Sequence, residues 1–485
     1  MTQGAPRHAR EGSFESVIGL EVHLALKTDS KLFCPCSAET FGDDPNTHVC
    51  PVCLGLPGSL PVANARAIEL AATFALALGC RLSETTQFHR KHYFYPDAPK
   101  NYQISQFDRP IGEHGAVELA GRRIGITRCH LEEDAGRLMH PAYADHSLVD
   151  LNRAGAPLLE MVTEPDLRSP EEARAFLEHI RLIAQSLGVS DAAPEQGKMR
   201  ADVNVSVRRP GEALGTKVEI KNLNSFKSVQ SAIALEVRRQ VLVRESGGEL
   251  DQETRGWNEG GQKTYLLRTK EGSADYRYLA DPDLPPMRLT AAYAERLRAA
   301  MRELPDARRA RYLALGVRPA EADLIVTDVA QARSFDALLA AAGEAGPAPR
   351  TLATWLTGEV AGALAGAPAP PPEGFDAAAL VALVAAVEDG TITLTSAKDL
   401  LGAVLAGADP LALIEARGLR QISDASALEG LVDDVLAAHG TIVASVRENP
   451  KALNALVGQV MRASGGQARA EAVRALLAER LGLDG

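Results

Sequence analysis

The chain has 485 residues, 46% of them apolar and 24% charged, and a formal net charge of -11; this is enough for roughly two to four domains with substantial cores. The acidic balance excludes a general electrostatic grip on nucleic acid, which depends on many cation–phosphate contacts, while leaving room for local basic surface. No apolar run reaches the length of about 18 residues that a membrane span needs, and positions 1–16 lack the apolar core of a secretion signal, so a cytoplasmic protein with no membrane attachment is expected.

Positions 16–26 read as a strand, whose alternation puts Glu21 and His23 on one face. The six cysteines follow unevenly. Cys34, Cys36, Cys50 and Cys53 form Cys-x-Cys, thirteen residues, then Cys-x-x-Cys, whereas Cys80 and Cys129 stand alone among apolar neighbours as small core side chains. Two close pairs joined by a short loop match a four-thiolate zinc site better than free thiols. Such a site is closed and therefore structural, and a reducing compartment disfavours the disulfide reading.

A helical period covers positions 63–78. Positions 90–108 then interleave aromatics with basic and amide side chains, Lys91, Tyr93 and Tyr95 among them. Such a segment suits stacking on a nucleotide base while the cations hold phosphate, or forms a packed aromatic loop. A strand at 124–131 runs into His130-Leu-Glu132-Glu133-Asp134, with His130, Glu132 and Asp134 on one face by alternation, and Pro157-Leu-Leu-Glu160-Met follows. Carboxylates in apolar company need partners, which leaves two readings: a shared cation, or a set of ion pairs and hydrogen bonds at the core edge.

Ser169-Pro170-Glu171-Glu172 starts a helix over 170–187, with a capping hydroxyl, proline at the first position and acids in the first turn. Strands at 201–208 and 216–220 follow, then a helix over 225–245. Alternation pairs Asp202 with Asn204 and Glu219 with Lys221, just before Asn222 and Asn224. These residues suit either a pocket that binds phosphate and orients an amide or carboxylate, or plain cross-strand pairs. The first 300 residues thus predict a mixed α/β domain, and the chain as a whole an α+β protein.

From about position 290 helical patterns dominate, broken at 343–349 and by the proline-rich stretch 365–374, which reads as a linker. The last segment, from Gly418, predicts two or three amphipathic helices separated by Gly440 and by Ser464-Gly465-Gly466. Its Arg447, Lys451, Arg462, Arg469, Arg474 and Arg480 outnumber nearby acids, which fits phosphate contact or a solvated face. No P-loop, Gly-x-Gly-x-x-Gly, Gly-x-Ser-x-Gly or His-Glu-x-x-His motif is present, so nucleotide chemistry here needs a different kind of pocket.

Several segments together resemble one family, the B subunit of the aspartyl/glutamyl-tRNA amidotransferase. They are Val-Ile-Gly-Leu-Glu-Val-His at 17–23, Tyr-Phe-Tyr-Pro-Asp at 93–97, Asn-Tyr-Gln-Ile-Ser-Gln-Phe-Asp at 101–108 and Glu-Glu-Asp-Ala-Gly at 132–136. Ser-Leu-Val-Asp-Leu-Asn-Arg at 147–153, Lys-Asn-Leu-Asn-Ser-Phe at 221–226, Asp-Tyr-Arg-Tyr at 275–278 and Leu-Val-Gly-Gln-Val-Met at 456–461 extend the match over almost the whole chain.

The resemblance implies an ATP-dependent kinase and transamidase. The side-chain carboxylate of Glu on tRNA(Gln), or of Asp on tRNA(Asn), is phosphorylated and then attacked by ammonia, which a glutaminase subunit supplies while a small third subunit links the two. A further implied partner is the cognate non-discriminating aminoacyl-tRNA synthetase. The implied fold is a cradle-shaped mixed-sheet catalytic domain at 15–300, an all-α helical domain at 301–417 and a small helical tail at 418–485 that contacts tRNA. Correspondence of motifs assigns magnesium to His23, Glu132 and Glu160, with Glu133 as the other choice beside Glu132. It gives catalytic roles to Glu21, His23, Glu132, Glu160 and Lys221, and ATP or substrate contacts to Lys91, Tyr93, Tyr95, Asp202, Asn204 and Asn222. Structural zinc falls to the four cysteines. Two departures stand out: His92 where the family pattern has asparagine, expected to alter a pocket contact, and Leu279-Ala280 where it more often has Phe-Pro. The competing expectation is a zinc-stabilised tRNA-binding scaffold with catalysis in a partner.

Overall fold

The computed structural model describes residues 14–141, 144–269, 276–365, 375–422, 425–448, 452–465 and 467–483. The polar start at 1–13, Asp275 and most of the expected linker at 365–374 lie outside the described residues. The chain divides into two compact units, Met1–Leu304 and Pro305–Gly485.

The first unit is built on a nine-stranded sheet. In chain order its strands are β1 (Glu15–Ala25), β2 (Arg81–Leu82), β3 (Gly112–Leu119), β4 (Arg122–Glu133), β5 (Pro157–Thr163), β6 (Met199–Arg208), β7 (Val218–Lys221), β8 (Glu253–Asn258) and β9 (Lys263–Thr269). They lie in the order β9-β8-β7-β6-β1-β5-β4-β3-β2. Only β7 and β8 run parallel; the other neighbours are antiparallel.

Alternation explains how β1 serves two purposes. Ile18, Leu20, Val22 and Leu24 are buried in the core, while Glu21 and His23 project from the opposite face. The apolar face packs with helices α1 (Ala65–Ala77), α2 (Pro170–Leu187) and α3 (Phe226–Glu245), which contribute Phe74, Phe176, Leu177, Ile180, Val229 and Ile233 to the same cluster. Burying each such side chain stabilises the fold by roughly 1.5–3 kcal/mol before entropy is counted. The Ser169 hydroxyl accepts from the Glu172 amide at 3.1 Å, and Gly188 closes α2 at φ 69°, a conformation glycine adopts without strain. Ser225 caps α3 in the same way, accepting from the Ser228 amide at 3.0 Å.

Strands β3, β8 and β9 have no counterpart in the sequence reading. In β3, Gly112 and Gly115 weaken the propensity signal, and their reason is packing: a Cβ at Gly115 would meet the Cys80 Sγ and the Leu78 carbonyl at 2.5 Å.

The second unit is helical, with two separate hydrophobic clusters. One gathers Tyr312, Phe335, Trp355, Leu383 and Leu400; the other gathers Val432, Val446, Leu456, Val460, Val473 and Leu477. Among the described residues the final segment holds four helices, Ala425–Ala438, Gly440–Glu448, Leu453–Ala463 and Ala470–Leu481, where the periodicity predicts two or three. Gly440 marks the break between the first two of them, where the sequence reading places a separation. No described helix is long and apolar enough to cross a membrane.

Candidate active site and cysteine cluster

Register brings together residues far apart in the chain. His23 on β1 lies opposite Arg200 on β6 and Glu160 on β5, and Glu160 lies opposite His130 on β4, so one row crosses four strands on the polar face. Glu132 stands two positions beyond His130 on that face. The His23 Nε2 is 3.2 Å from a Glu160 oxygen and 3.8 Å from a Glu132 oxygen. The His130 Nε2 reaches the second Glu132 oxygen at 3.7 Å and Glu160 at 3.3 Å. Burial opposes charging of both histidines, but Glu160 and Glu132 outweigh it, raising His23 and pushing His130 up to about 9. Burial would likewise lift Glu160, and the two histidines hold it well below the usual carboxylate range.

The ligand atoms of His23, Glu132 and Glu160 all lie within 4.8 Å of one another. Oxygens at about 2.1 Å around an octahedral magnesium sit roughly 3–4 Å apart, so this set fits such an ion. Glu133 projects from the other face of β4, where its carboxylate accepts from the Lys100 ammonium and, at 2.8 Å, from the Ile104 amide. It is therefore separate from the His23 cluster, and Glu132 is the neighbour that faces His23. Glu21 also belongs elsewhere, in a second acidic group with Asp202 and Glu219. It accepts from the Asn204 side-chain amide at 2.9 Å. Lys221 sits in that second group, 2.6 Å from Asp202 and 3.2 Å from Glu219; burial opposes its charge, but those carboxylates raise its pKa.

A cavity of about 380 Å³ takes in residues of both groups and is lined by His23, Lys91, Glu132, Asp134, Arg200, Asp202, Lys221 and Asn222 among others. Asn222 sits at φ 65°, which asparagine tolerates better than most residues, and turns the chain after β7. The Lys91 ammonium lies 5.0 Å from the centre of the Tyr276 ring. Tyr93 is not in this cavity; it lines an adjoining recess with Asp97, Lys100 and Glu133. Tyr95 is 62% exposed and lines neither; Asn204 is in neither lining, and its side-chain amide donates to Glu21. His92 is not in the lining of the large cavity either; its Nδ1 donates to the Arg277 carbonyl at 3.0 Å.

The sequence reading missed the arginines around Asp134 and the place of Arg200 on the polar face. β4 ends at Glu133, yet Asp134 keeps to the side that the alternation gives it and lines the large cavity with His23 and Glu132. There it meets the Arg200 Nη2 at 3.1 Å and the Arg153 Nε at 3.4 Å. Those arginines outweigh its burial and keep its pKa low. Continuing the β6 alternation back from Asp202 and Asn204 would have placed Arg200 on the polar face.

The four cysteine sulfurs lie within 4.8 Å of one another, and Cys50 and Cys53 are 3.9 Å apart. A tetrahedron of Zn–S bonds of about 2.3 Å has edges of roughly 3.8 Å, so the donor set fits zinc. Hydrogen bonding with Cys34 brings the Cys53 thiol down to about 4, against its burial, and Lys31 adds to the effect. Lys31 is 1% exposed; its ammonium donates to the His48 carbonyl at 2.8 Å and lies 3.6 Å from the Cys53 Sγ.

The fold thus defines an α+β class, a mixed-sheet unit followed by helical ones. Residues 16–295 match the GatB/GatE catalytic domain and residues 336–481 the GatB domain. The chain is 52% identical over 478 residues to the aspartyl/glutamyl-tRNA(Asn/Gln) amidotransferase B subunit of Deinococcus radiodurans, covering 97% of this chain and 100% of the relative. Identity to the protein of that name from Thermus thermophilus is 53% over 477 residues, with the same coverage. For Moorella thermoacetica it is 46% over 486 residues, covering 96% of this chain and 100% of the relative. The chain belongs to the family of aspartyl/glutamyl-tRNA(Asn/Gln) amidotransferase B subunits.

Proposed function

We propose that this chain is the kinase and transamidase subunit of an assembly that converts Glu-tRNA(Gln), Asp-tRNA(Asn) or both into the amidated forms. The observation that carries this reading is identity above 50% along 97% of the chain to proteins named as that amidotransferase's B subunit. The polar face of the sheet supports it. A carboxylate is a poor electrophile because its leaving group would be oxide, so ATP first converts it to an acyl phosphate, from which ammonia displaces phosphate.

His23, Glu132 and Glu160 would hold magnesium, which when bound screens polyphosphate charge. Lys91 faces the same cavity with the Tyr276 ring as its close partner, a placement that suits a phosphate contact; Asp202 and Asn222 line the cavity on the Lys221 side. Glu21 and Lys221 form the second polar group, with Asn204 orienting Glu21. Tyr93 and Tyr95 lie outside the large cavity, so any substrate contact of theirs is made away from its wall. The cysteine knuckle would hold zinc for structure. Ammonia would come from the glutaminase partner, with the small third protein linking the two, the tail from 418 would contact tRNA, and the work belongs in the cytoplasm.

The test is to reconstitute the three-protein assembly and follow ADP release and amide formation on each mischarged tRNA, with glutamine or with ammonium. Activity with ammonium but a dead glutaminase would isolate the step assigned to this chain. Glu132→Gln or Glu160→Gln should reduce amidation at least a hundredfold while tRNA binding persists. No ADP release that depends on mischarged tRNA would sink the reading.

A further inference from the structure

The three cations lining the large cavity are held in different ways. Lys221 is occupied by two carboxylates, and Lys91 lies over an aromatic ring. Arg200 is clamped at one end only. Its Nη2 sits 3.1 Å from each oxygen of Asp134, and among the described residues its Nε and Nη1 make no further hydrogen bond or ion pair.

The clamp is itself immobilised. Asp134 is 9% exposed, its Oδ1 accepts from the Ala135 amide at 2.9 Å, and its own amide donates to the Ala156 carbonyl at 2.8 Å. Arg153 flanks it from the other side and donates onward to the Ala135 and Gly136 carbonyls at 3.0 and 2.9 Å. Asp134 therefore serves to aim a guanidinium. The Cα of Arg200 pairs with that of His23, so the fork it presents stands beside the His23, Glu132 and Glu160 cluster.

A planar guanidinium with unused N–H groups is matched to two oxygens of a phosphoryl group, a geometry a lysine ammonium does not reproduce. We propose that Arg200 is a catalytic residue that contacts the phosphoryl group as it passes from ATP to the substrate carboxylate, with Asp134 as its positioning residue. This rests on the amidation reading above. In that step a carboxylate oxygen forms a bond to the γ-phosphorus while the bond from the γ-phosphorus to the β,γ-bridging oxygen breaks, its electron pair leaving on ADP. Ammonia then bonds to the acyl carbon, the carbon–oxygen bond to phosphate breaks, and the surplus proton passes to the departing phosphate. Arg200 would stabilise the charge that spreads over the transferring oxygens, and a fixed donor costs no reorganisation at that moment.

The test uses the three-protein assembly with mischarged tRNA and ammonium, comparing R200K, R200A and D134N with wild type for ADP release and amide formation. Melting temperature and zinc content check each fold, and R200K, which keeps a cation for Asp134, carries the test if R200A does not fold. R200K should lose about a hundredfold in kcat for ADP release with its KM for tRNA within twofold of wild type. R200A should regain part of its rate when guanidinium is added at millimolar concentration. D134N should lose about tenfold in kcat and gain nothing from guanidinium. R200K within threefold of the wild-type kcat, or a defect confined to the KM for tRNA, overturns the proposal. A wild-type assembly that releases no ADP overturns the amidation reading itself, whereas an active wild type with an unaffected R200K overturns only the role of Arg200.

Discussion

Glu132 and Glu133 are adjacent in sequence, yet a strand turns them to opposite faces. Glu132 meets two histidines, and Glu133 holds the Lys100 ammonium where both side chains are largely buried. Their conservative substitutions should therefore fail differently. Glu133→Gln removes the charge that partners Lys100 and should cost about 3 kcal/mol, because it strands a largely buried cation. Glu132→Gln leaves Glu160 to partner both histidines, which unlike Lys100 can give up a proton, and should cost far less stability while removing amidation. Chemical denaturation of both variants checks this, and equal losses of stability would show that the two carboxylates do not divide in this way. Alternation alone predicts that the two face apart. It does not say which faces His23, because that depends on β5 lying between β1 and β4, a pairing across more than a hundred residues. Asp134 lies one residue past the end of β4, and the same period still carries it to the cavity wall beside Glu132.

Local signals were legible where the chain itself supplies the partner. The Ser169 and Ser225 caps and the alternation of β1 are of this kind. The spacing of the four cysteines could also be read, since two close pairs on one loop need little help from the rest of the fold. Lys31 could not, because a lysine is ordinarily exposed and nothing local marks it as buried. It closes the knuckle from within, and the segment at 43–53 is further stitched to that at 149–155. The His48 amide donates to the Asn152 Oδ1 at 2.8 Å, and the Asn152 Nδ2 donates to the Asp44 carbonyl at 2.8 Å. Four thiolates around zinc carry a net charge of about -2, which a buried ammonium partly offsets. Lys31→Met should thus release zinc to a chelator about 10–100-fold faster, the usual scale for loss of an outer-shell partner. Cys50→Ala should lower the melting temperature outright. Release of zinc from the Lys31 variant at the wild-type rate would reduce Lys31 to a packing role, whereas wild-type protein isolated without zinc would remove the zinc reading itself.

At the scale of the whole chain, an acidic protein that handles tRNA must confine its phosphate contacts to a few cations free of internal partners. The tail's arginines differ in this respect. Arg480 is committed, with its Nε 3.0 Å from Asp433 and its Nη2 3.2 Å from Glu429. Among the described residues Arg474 bonds only the neutral Asn454 side chain, at 2.8 Å, and Arg462 makes a long contact of 3.4 Å with the Gly458 carbonyl. The side chains of Arg447 and Lys451 are outside the described residues. The sequence offers all of these as equivalent positive charges, since pairing depends on how the four short helices pack around their shared core. If the tail contacts tRNA, an R462Q/R474Q variant of the assembly should bind tRNA more weakly and show a flatter dependence of log affinity on log salt, by on the order of one unit of slope per lost phosphate contact. R480Q should bind within twofold of wild type, because the charge it removes is already neutralised. Filter binding across a salt series measures both. An unchanged slope for the double variant, or an equal loss for R480Q, would move the tRNA contact away from these helices.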